Sequence, residues 1–439
     1  MNIKDIFKLS VKYLLRYKRR FSFLFSALTF GFCIVTVIVS LKDGMSDAVY
    51  SSAQGHYAGD IVFGGYDVDF GLKRHLDKDA VDKINTALET ARHKKEIDPV
   101  NIVYRTMLHA FNLYYNGDAL ELKYLIGVDW ENEKDYFDGL NYSGAGRANC
   151  DLRSIIISEP VAGRLGIKIG DSVLIELQDR FKQKNTAVLI VAAIVKDSSI
   201  FGYYKAFMDR SVLNQLIGFE QGECSLVGVY VKNKNTTEHS REVLQKELED
   251  KIQLTPLVYT RDQWDKAEDV NNGKLITAIL TLKVYISEIS QILDAVNLLA
   301  AFLYVMMLLI ILVSAGVTYR LILHERTKEI GTMRAMGAGE SSVRAMLVIE
   351  ALLLASAALV SGFILARLAA WGVSLISFSW MPSFEIFLKQ GRLEAAYKIT
   401  AILKNIAAVY IVVFVAVFFP VYKASVTPLP QILSGSVKE

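Results

Sequence analysis

The stretch FSFLFSALTFGFCIVTVIVSL, Phe21–Leu41, decides the fold class. It carries no charged side chain. A helix that satisfies its own backbone needs roughly 20 such residues to cross about 30 Å of hydrocarbon. Three comparable runs crowd the C-terminal third. Ala295–Tyr319 is uncharged, Ala345–Ala366 carries Glu350, and Asn405–Tyr422 follows Lys404. A chain that is 52% apolar does not read as a large soluble enzyme with buried helices. Nor is Phe21–Leu41 a cleaved leader, because no small-residue cleavage site follows it. The expected fold is a multi-pass α-helical membrane protein with four transmembrane helices. A large α+β extracytoplasmic domain lies between helices 1 and 2.

Working outward, residues 1–20 read as a cytoplasmic interfacial helix, 21–41 as the first span and 42–290 as the outer domain. Residues 291–322 hold a stalk and the second span, 323–344 a cytoplasmic loop and 345–378 the third span. Residues 379–398 form an outer loop, 399–422 the fourth span and 423–439 a cytoplasmic tail. Basic flanks set the orientation. Lys12, Arg16, Lys18, Arg19 and Arg20 precede the first span, and Arg320, Arg326, Lys328, Arg334 and Arg344 follow the second. Both termini are therefore expected inside. Lys4, Lys8, Lys12 and Arg16 recur every four residues opposite Ile3, Ile6, Phe7, Tyr13 and Leu14, which suits a helix lying on the inner leaflet of a lipid bilayer. A net charge of +3 gives no reason to expect a nucleic-acid partner.

The outer domain alternates β-rich runs (Ile61–Phe63, Ile102–Tyr104, Leu122–Val128, Ile155–Ile157, Ser172–Leu177, Val188–Val195, Val227–Val231) with helical stretches near Lys78–Arg92 and Thr237–Asp250. Residues 131–224 are expected as a subdomain inserted into a module of 47–130 and 225–282. Ile286, Ile289, Leu293 and Val296 keep a helical period upstream of the second span, so that span starts as a stalk. Met45 and Val49 suggest a matching stalk after the first, which Gly44 weakens. A flexible tether would be rich in Gly and Ser, and these segments are not.

Catalytic and cofactor chemistry is sparse. No phosphate-cradling Gly-x4-Gly-Lys-Ser/Thr loop is present, and Gly273–Lys274 lacks its context. His56, His75, His93 and His109 have no zinc spacing. Asp67 and Asp69 lack the further carboxylates of a calcium loop. No nucleophile elbow occurs. Catalytic residues, cofactors and metal sites are all expected to be none. Cys33 falls in a span; Cys150 and Cys224 either pair or stay free.

The sharpest local signal is the loop ERTKEIGTMRAMGA, Glu325–Ala338. Glu325 and Lys328 pair at i,i+3, Ile330 and Met333 share a side, and Gly331 and Gly337 allow close approach or helix termination. A short charged helix of this kind suits docking into another protein's cleft. This loop resembles that of the FtsX-like/MacB-type permease family of ABC transporter subunits. Glu350, near the start of the third span, fits the same family, as do PVYKASVTPLPQIL (Pro420–Leu433) and ISEPVAGRLGIKIGD (Ile157–Asp171).

The resemblance implies a permease that pairs with a second one, identical or paralogous, and docks on a separate ABC ATPase dimer. ATP and Mg would be bound by that partner. Glu325, Arg326, Lys328, Glu329, Ile330, Gly331, Met333, Arg334 and Gly337 would form the coupling loop. Motion would reach the outer domain through the spans, which lack the interior charge of a polar pathway. Glu350 and Arg344 read as an interfacial charge pair, and Ala358, Gly362 and Ala366 as a helix-packing seam. Among the family's tasks, lipoprotein release by subunits of the LolC/LolE kind suits an outer domain of this size, in the cell inner membrane. A split MacB-type export pump with a periplasmic adaptor, or an FtsX-like regulator of an envelope enzyme, is the alternative.

Overall fold

The structure is a computed structural model that describes residues 3–16, 18–67, 72–73, 75–144, 150–196, 205–260, 263, 276–378, 381–389 and 391–426. The chain forms two compact units. A helical unit comprises Met1–Asp47, Leu293–Ser377 and Arg392–Glu439; an α/β unit comprises Ala48–Ile292 and Phe378–Gly391.

Among the described residues, four helices are long and apolar enough to cross a membrane: Phe21–Tyr57, Ser287–Glu325, Glu340–Ser374 and Ile399–Val426. Each outruns the apolar stretch read from the sequence. The first helix begins at Lys18 and continues through Gly44 to Tyr57, 40 residues without a break. The second covers 39 residues. At about 1.5 Å of rise per residue each is about 60 Å long, twice the hydrocarbon thickness.

The helical unit is held by stripes at three- and four-residue spacing. Phe21, Leu24, Leu28 and Phe32 of the first helix meet Ile311, Ala315, Tyr319 and Ile322 of the second, Leu347, Ala351 and Ala358 of the third, and Val409, Val413 and Val417 of the fourth. The opposite faces stay apolar and exposed, as at Phe302, Leu309, Val313, Trp371 and Phe419. Water would penalise such faces over this extent; lipid does not. Gly44 sits mid-helix because the backbone at Glu394 passes against it. A Cβ there would overlap the Glu394 carbonyl, and Ala396 N–H donates to the Ser40 carbonyl at 2.9 Å.

Among the described residues the α/β unit has ten strands: β1 (Ile61–Asp67), β2 (Leu72–Lys73), β3 (Pro99–Tyr115), β4 (Asp118–Val128), β5 (Ser154–Ser158), β6 (Ser172–Gln178), β7 (Lys184–Val195), β8 (Lys205–Asp209), β9 (Leu226–Val231) and β10 (Ile276–Thr281). The order is β10-β1-β9-β3-β4-β8-β5-β7-β6, with β2 on β1 and a further β3–β6 pairing. That last pairing closes β3, β4, β8, β5, β7 and β6 into a ring. The β3–β4 hairpin turns on Asn116 and Gly117, both at positive φ (49° and 92°), the two-residue turn that matches strand twist.

The inserted module therefore does not begin at residue 131. The β3–β4 hairpin supplies two of its strands, and Phe111, Leu113, Leu120, Leu122 and Leu125 sit in one core with Ile155, Ile175, Val191 and Leu213. A hairpin whose alternation buries one face cannot be left out of the ring it closes. The other half of the sheet carries helices Lys78–His93 and Thr237–Leu248 over Ile61, Phe63, Val227 and Val229. None of the three cysteines forms a disulfide. Cys150 and Cys224 pack in different cores, and burial pushes the Cys224 thiol up to about 12.

Gly228 on β9 lies under the end of the first helix, where a Cβ would overlap the Ala58 carbonyl. Gly228→Ala should destabilise the protein by about 3 kcal/mol, the upper range for overpacking. Gly163→Ala, with nothing within 4 Å of the new carbon, should be neutral or slightly stabilising. Thermal unfolding of the two variants in detergent checks this, and equal melting points would contradict the close approach.

Candidate coupling site

The second helix ends at Glu325, and a nine-residue helix, Thr327–Ala335, begins two residues later. Only Arg326 (φ −98°, ψ 7°) leaves the helical path. Its side chain is fully buried. Nη1 donates to Glu350 Oε1 at 2.9 Å and Oε2 at 2.8 Å, and Nε approaches Glu329 Oε2 at 3.3 Å. The guanidinium lies 4.8 Å over the Tyr13 ring of the N-terminal helix Ile3–Arg16. That helix is also tied to the third by Ser10 Oγ, which donates to the Met346 carbonyl at 3.2 Å. Beside it, the buried Tyr319 hydroxyl donates to the Leu347 carbonyl at 2.6 Å. One arginine thus joins the second helix, the short helix, the third helix and the N-terminal helix.

The short helix ends in a Schellman motif. Ala338 N–H bonds the Met333 carbonyl, Gly337 N–H bonds the Arg334 carbonyl, and Gly337 takes φ 96°. Arg334 Nη2 holds Glu340 Oε1 at 3.0 Å, which fixes the turn into the third helix at Glu340, earlier than residue 345.

Two expectations need correction. Glu350 pairs with Arg326, not with Arg344. Six residues along a helix rotate about 120° away from the same face. Arg344 instead meets Ser425 Oγ at 3.2 Å and lies 5.0 Å over the Tyr422 ring, tying the third helix to the fourth. The apolar side of the short helix is also not offered outward. Ile330 and Gly331 are buried, and Ile330 and Met333 pack into the helical core. The exposed residues are Glu325, Lys328, Thr332, Ala335, Met336 and Gly337.

Ala358, Gly362 and Ala366 are all buried. A Cβ at Gly362 would come within 2.7 Å of the Thr29 carbonyl and 3.2 Å of the Phe32 ring, so this seam receives the first helix of the same chain. Lys8, Lys12 and Arg16 are exposed on the N-terminal helix; the Lys4 side chain lies outside the described residues, as do Asp69, Gly273–Lys274 and everything after Val426. Among the described residues no group of three His, Cys, Asp or Glu side chains is placed to hold a metal.

The α/β unit has an arginine anchor of its own. Arg105 stands where β3 leaves β9 and takes up β4, and it is fully buried. Nε donates to both Glu133 carboxylate oxygens at 3.1 and 2.9 Å, and Nη2 also contacts Glu133. Nη1 donates to the Gly55 carbonyl at 2.6 Å and the His56 carbonyl at 3.3 Å, in the last turn of the first helix. A cation there satisfies carbonyls that no helical N–H reaches. Burial opposes the guanidinium's charge, but Glu133 outweighs it and holds Arg105 above its ordinary range. The sequence reading missed this pair, although a charged residue inside the apolar run around Ile102–Met107 marks it.

Residues 301–429 match the FtsX-like permease C-terminal family. The matched segment begins within the second helix and ends beyond the fourth. It contains the membrane part of the second helix, the Arg326 junction, Glu350 and the third and fourth helices. The chain is similar to the periplasmic region of MacB from Actinobacillus actinomycetemcomitans, at 12% identity and a TM-score of 0.32, over 54% of this chain and 95% of that one. It is similar also to a permease-type protein domain from Porphyromonas gingivalis, at 12% identity and 0.30, over 52% and 90%. No curated protein matches the chain.

Within the matched segment the buried ion pair sets a clear expectation. Arg326→Ala leaves the Glu350 carboxylate buried without its partner and should cost about 3–5 kcal/mol, whereas Arg326→Met with Glu350→Leu should recover most of that loss. A double-mutant cycle by thermal unfolding in detergent measures both. Additive losses would show that the two side chains do not interact.

Proposed function

We propose that the chain is the permease subunit of an ABC transporter in the cell inner membrane, with both termini cytoplasmic. It passes the ATP-driven motion of a separate ATPase dimer to the α/β unit. The observation that carries this reading is the junction at Arg326. A displacement of Thr327–Ala335 meets no flexible linker before the 39-residue second helix. The guanidinium recruits the third and N-terminal helices to the same movement.

Glu325, Lys328, Thr332 and Met336 form the outward face of the short helix, and Met336 is 76% exposed. Charges around one apolar knob suit an ATPase cleft. Ile330, Gly331 and Met333 then serve the junction rather than the contact, and Glu329, Arg334 and Gly337 shape it. ATP and Mg belong to the partner, and this chain acts as a transporter subunit rather than an enzyme. A second permease, identical or paralogous, completes the assembly.

Lipoprotein release, as by LolC/LolE-type subunits, is the task proposed first, with a lipoprotein or a periplasmic adaptor as the outer partner. One observation favours a second reading, mechanical regulation of an envelope enzyme. Glu350, the fully buried carboxylate of the described spans, is already neutralised by Arg326, so it offers no polar substrate a path.

In proteoliposomes with the cognate ATPase, Lys328→Glu combined with Met336→Ser should lower permease-stimulated ATP hydrolysis about tenfold, with insertion and melting unchanged. Unaltered stimulation would remove the docking role. In the same vesicles, a cysteine at Lys94 should react with an impermeant maleimide from the outer side and one at Lys328 only from the inner side; the opposite pattern would invert the topology.

A further inference from the structure

The third helix is tied to the chain of the fourth near both of its ends by an arginine lying on a tyrosine. Near its start Arg344 lies over Tyr422. Further along, Arg367 lies 4.5 Å over the Tyr397 ring. Tyr397 is itself fixed, with its hydroxyl on the Ala366 carbonyl at 3.5 Å and its ring edge-on to Phe363. At about 1.5 Å of rise per residue Arg367 stands about 34 Å from Arg344, close to the hydrocarbon thickness. Trp371, one turn beyond on the same exposed face, suits the interfacial aromatic belt. Lys404 of the fourth helix stands about 27 Å from Tyr422, so it starts about 7 Å deeper than Arg367. Arg367 and Lys404 are both exposed.

Neither cation has a carboxylate partner among the described residues. The described carboxylates of the helical unit toward this end are Asp43, Asp47, Asp294 and Glu394. Lys42 takes Asp43 at 2.8 Å and Lys398 takes Asp47 at 2.9 Å. Glu394 crosses the first helix at Gly44, about 18 Å of rise beyond Phe32. Asp294 lies about 25 Å of rise beyond Ile311, which meets Gly31. Arg367 stands only about 7 Å beyond Gly362, the residue that Phe32 meets. An ammonium that starts inside hydrocarbon is costly unless its stem snorkels to an anion. The tyrosine ring covers one face of the Arg367 guanidinium and leaves its N–H groups for an acceptor.

We infer that Arg367 and Lys404 hold the phosphate of an anionic phospholipid in the leaflet at this end of the spans. The phosphate accepts from the Arg367 N–H groups, and the Lys404 stem reaches outward to the same headgroup. Acyl chains lie against Ile364, Leu368 and Leu403, all exposed. Two cations against one phosphate favour a headgroup that carries no ammonium of its own. A free phosphate ester offers the same oxygens but nothing to cover those apolar side chains. The site needs no ATPase, so its test stands apart from the coupling role proposed above.

The test reads lipid contact at Trp371 with the full chain in proteoliposomes. Brominated lipid quenches indole fluorescence, and the Trp371 contribution is the difference from Trp371→Phe. Phosphatidylcholine vesicles receive increasing fractions of phosphatidylglycerol brominated near the headgroup end of its chains, with brominated phosphatidylcholine as reference. Phosphatidylglycerol should be preferred at Trp371 by at least about fivefold. Arg367→Gln with Lys404→Gln should bring the ratio to about one, with melting unchanged. Lys8→Gln with Lys12→Gln, on the N-terminal helix, should leave the ratio as it is, and excess glycerol 3-phosphate should not compete.

Equal quenching by the two lipids in the wild-type protein would overturn the proposal. So would a preference that survives in the folded Arg367→Gln, Lys404→Gln protein. A loss just as complete in the Lys8→Gln, Lys12→Gln protein would assign the preference to overall charge and overturn the site. Displacement by glycerol 3-phosphate would assign it to a free phosphate ester and overturn the lipid.

Discussion

The ion pair between Arg326 and Glu350 is the contact on which the junction of the helical unit depends. Two buried charges in a low-dielectric setting tolerate little displacement, because separating them leaves each without compensation. That intolerance is useful at a junction. The chain departs from helical geometry at a single residue, and that residue's side chain is bound to the third helix. The bend between the second helix and the short helix is therefore a fixed corner. Tyr13 and Ser10 extend the same constraint to the N-terminal helix, so four helices share one reference point.

The α/β unit repeats the device with different parts. Arg105 closes the last turn of the first helix and is itself held by Glu133. Gly228 lets the Ala58 carbonyl settle on β9. In both places a long helix ends in a buried guanidinium that bonds a neighbouring element, rather than in a solvated loop. Helix ends normally fray first; these two are among the most constrained points of their respective units.

Much of this was legible from the sequence. Uncharged runs can do little else than form lipid-facing helices, so the four spans and the α+β domain between the first two emerged directly. Seven β-rich runs were each found within a strand. The missed strands have physical reasons: β2, Leu72–Lys73, is only two residues long. β8, Lys205–Asp209, is short and opens and closes on charges; β10, Ile276–Thr281, is a run without alternation. Pairing across space was not legible at all. Nothing local in Glu350 distinguishes Arg326 from Arg344 as its partner, and Gly44 read as a weakness because the crossing chain at Glu394 is 350 positions away. The basic and apolar faces of the short helix were visible, but periodicity does not say which face the protein keeps for itself. Ile330 and Met333 went inward because the second and third helices leave room there.

One feature of the α/β unit reaches beyond its own geometry. β3 runs 17 residues, and its first part pairs with β9 while its later part pairs with β4 and β6. The same continuous backbone is thus a wall of both hydrophobic interiors. Neither half can be excised, swapped for a relative's or melted on its own without cutting a ladder of the other. In evolutionary terms the ring is not a cassette: its loops are free to diversify, but its boundary is welded.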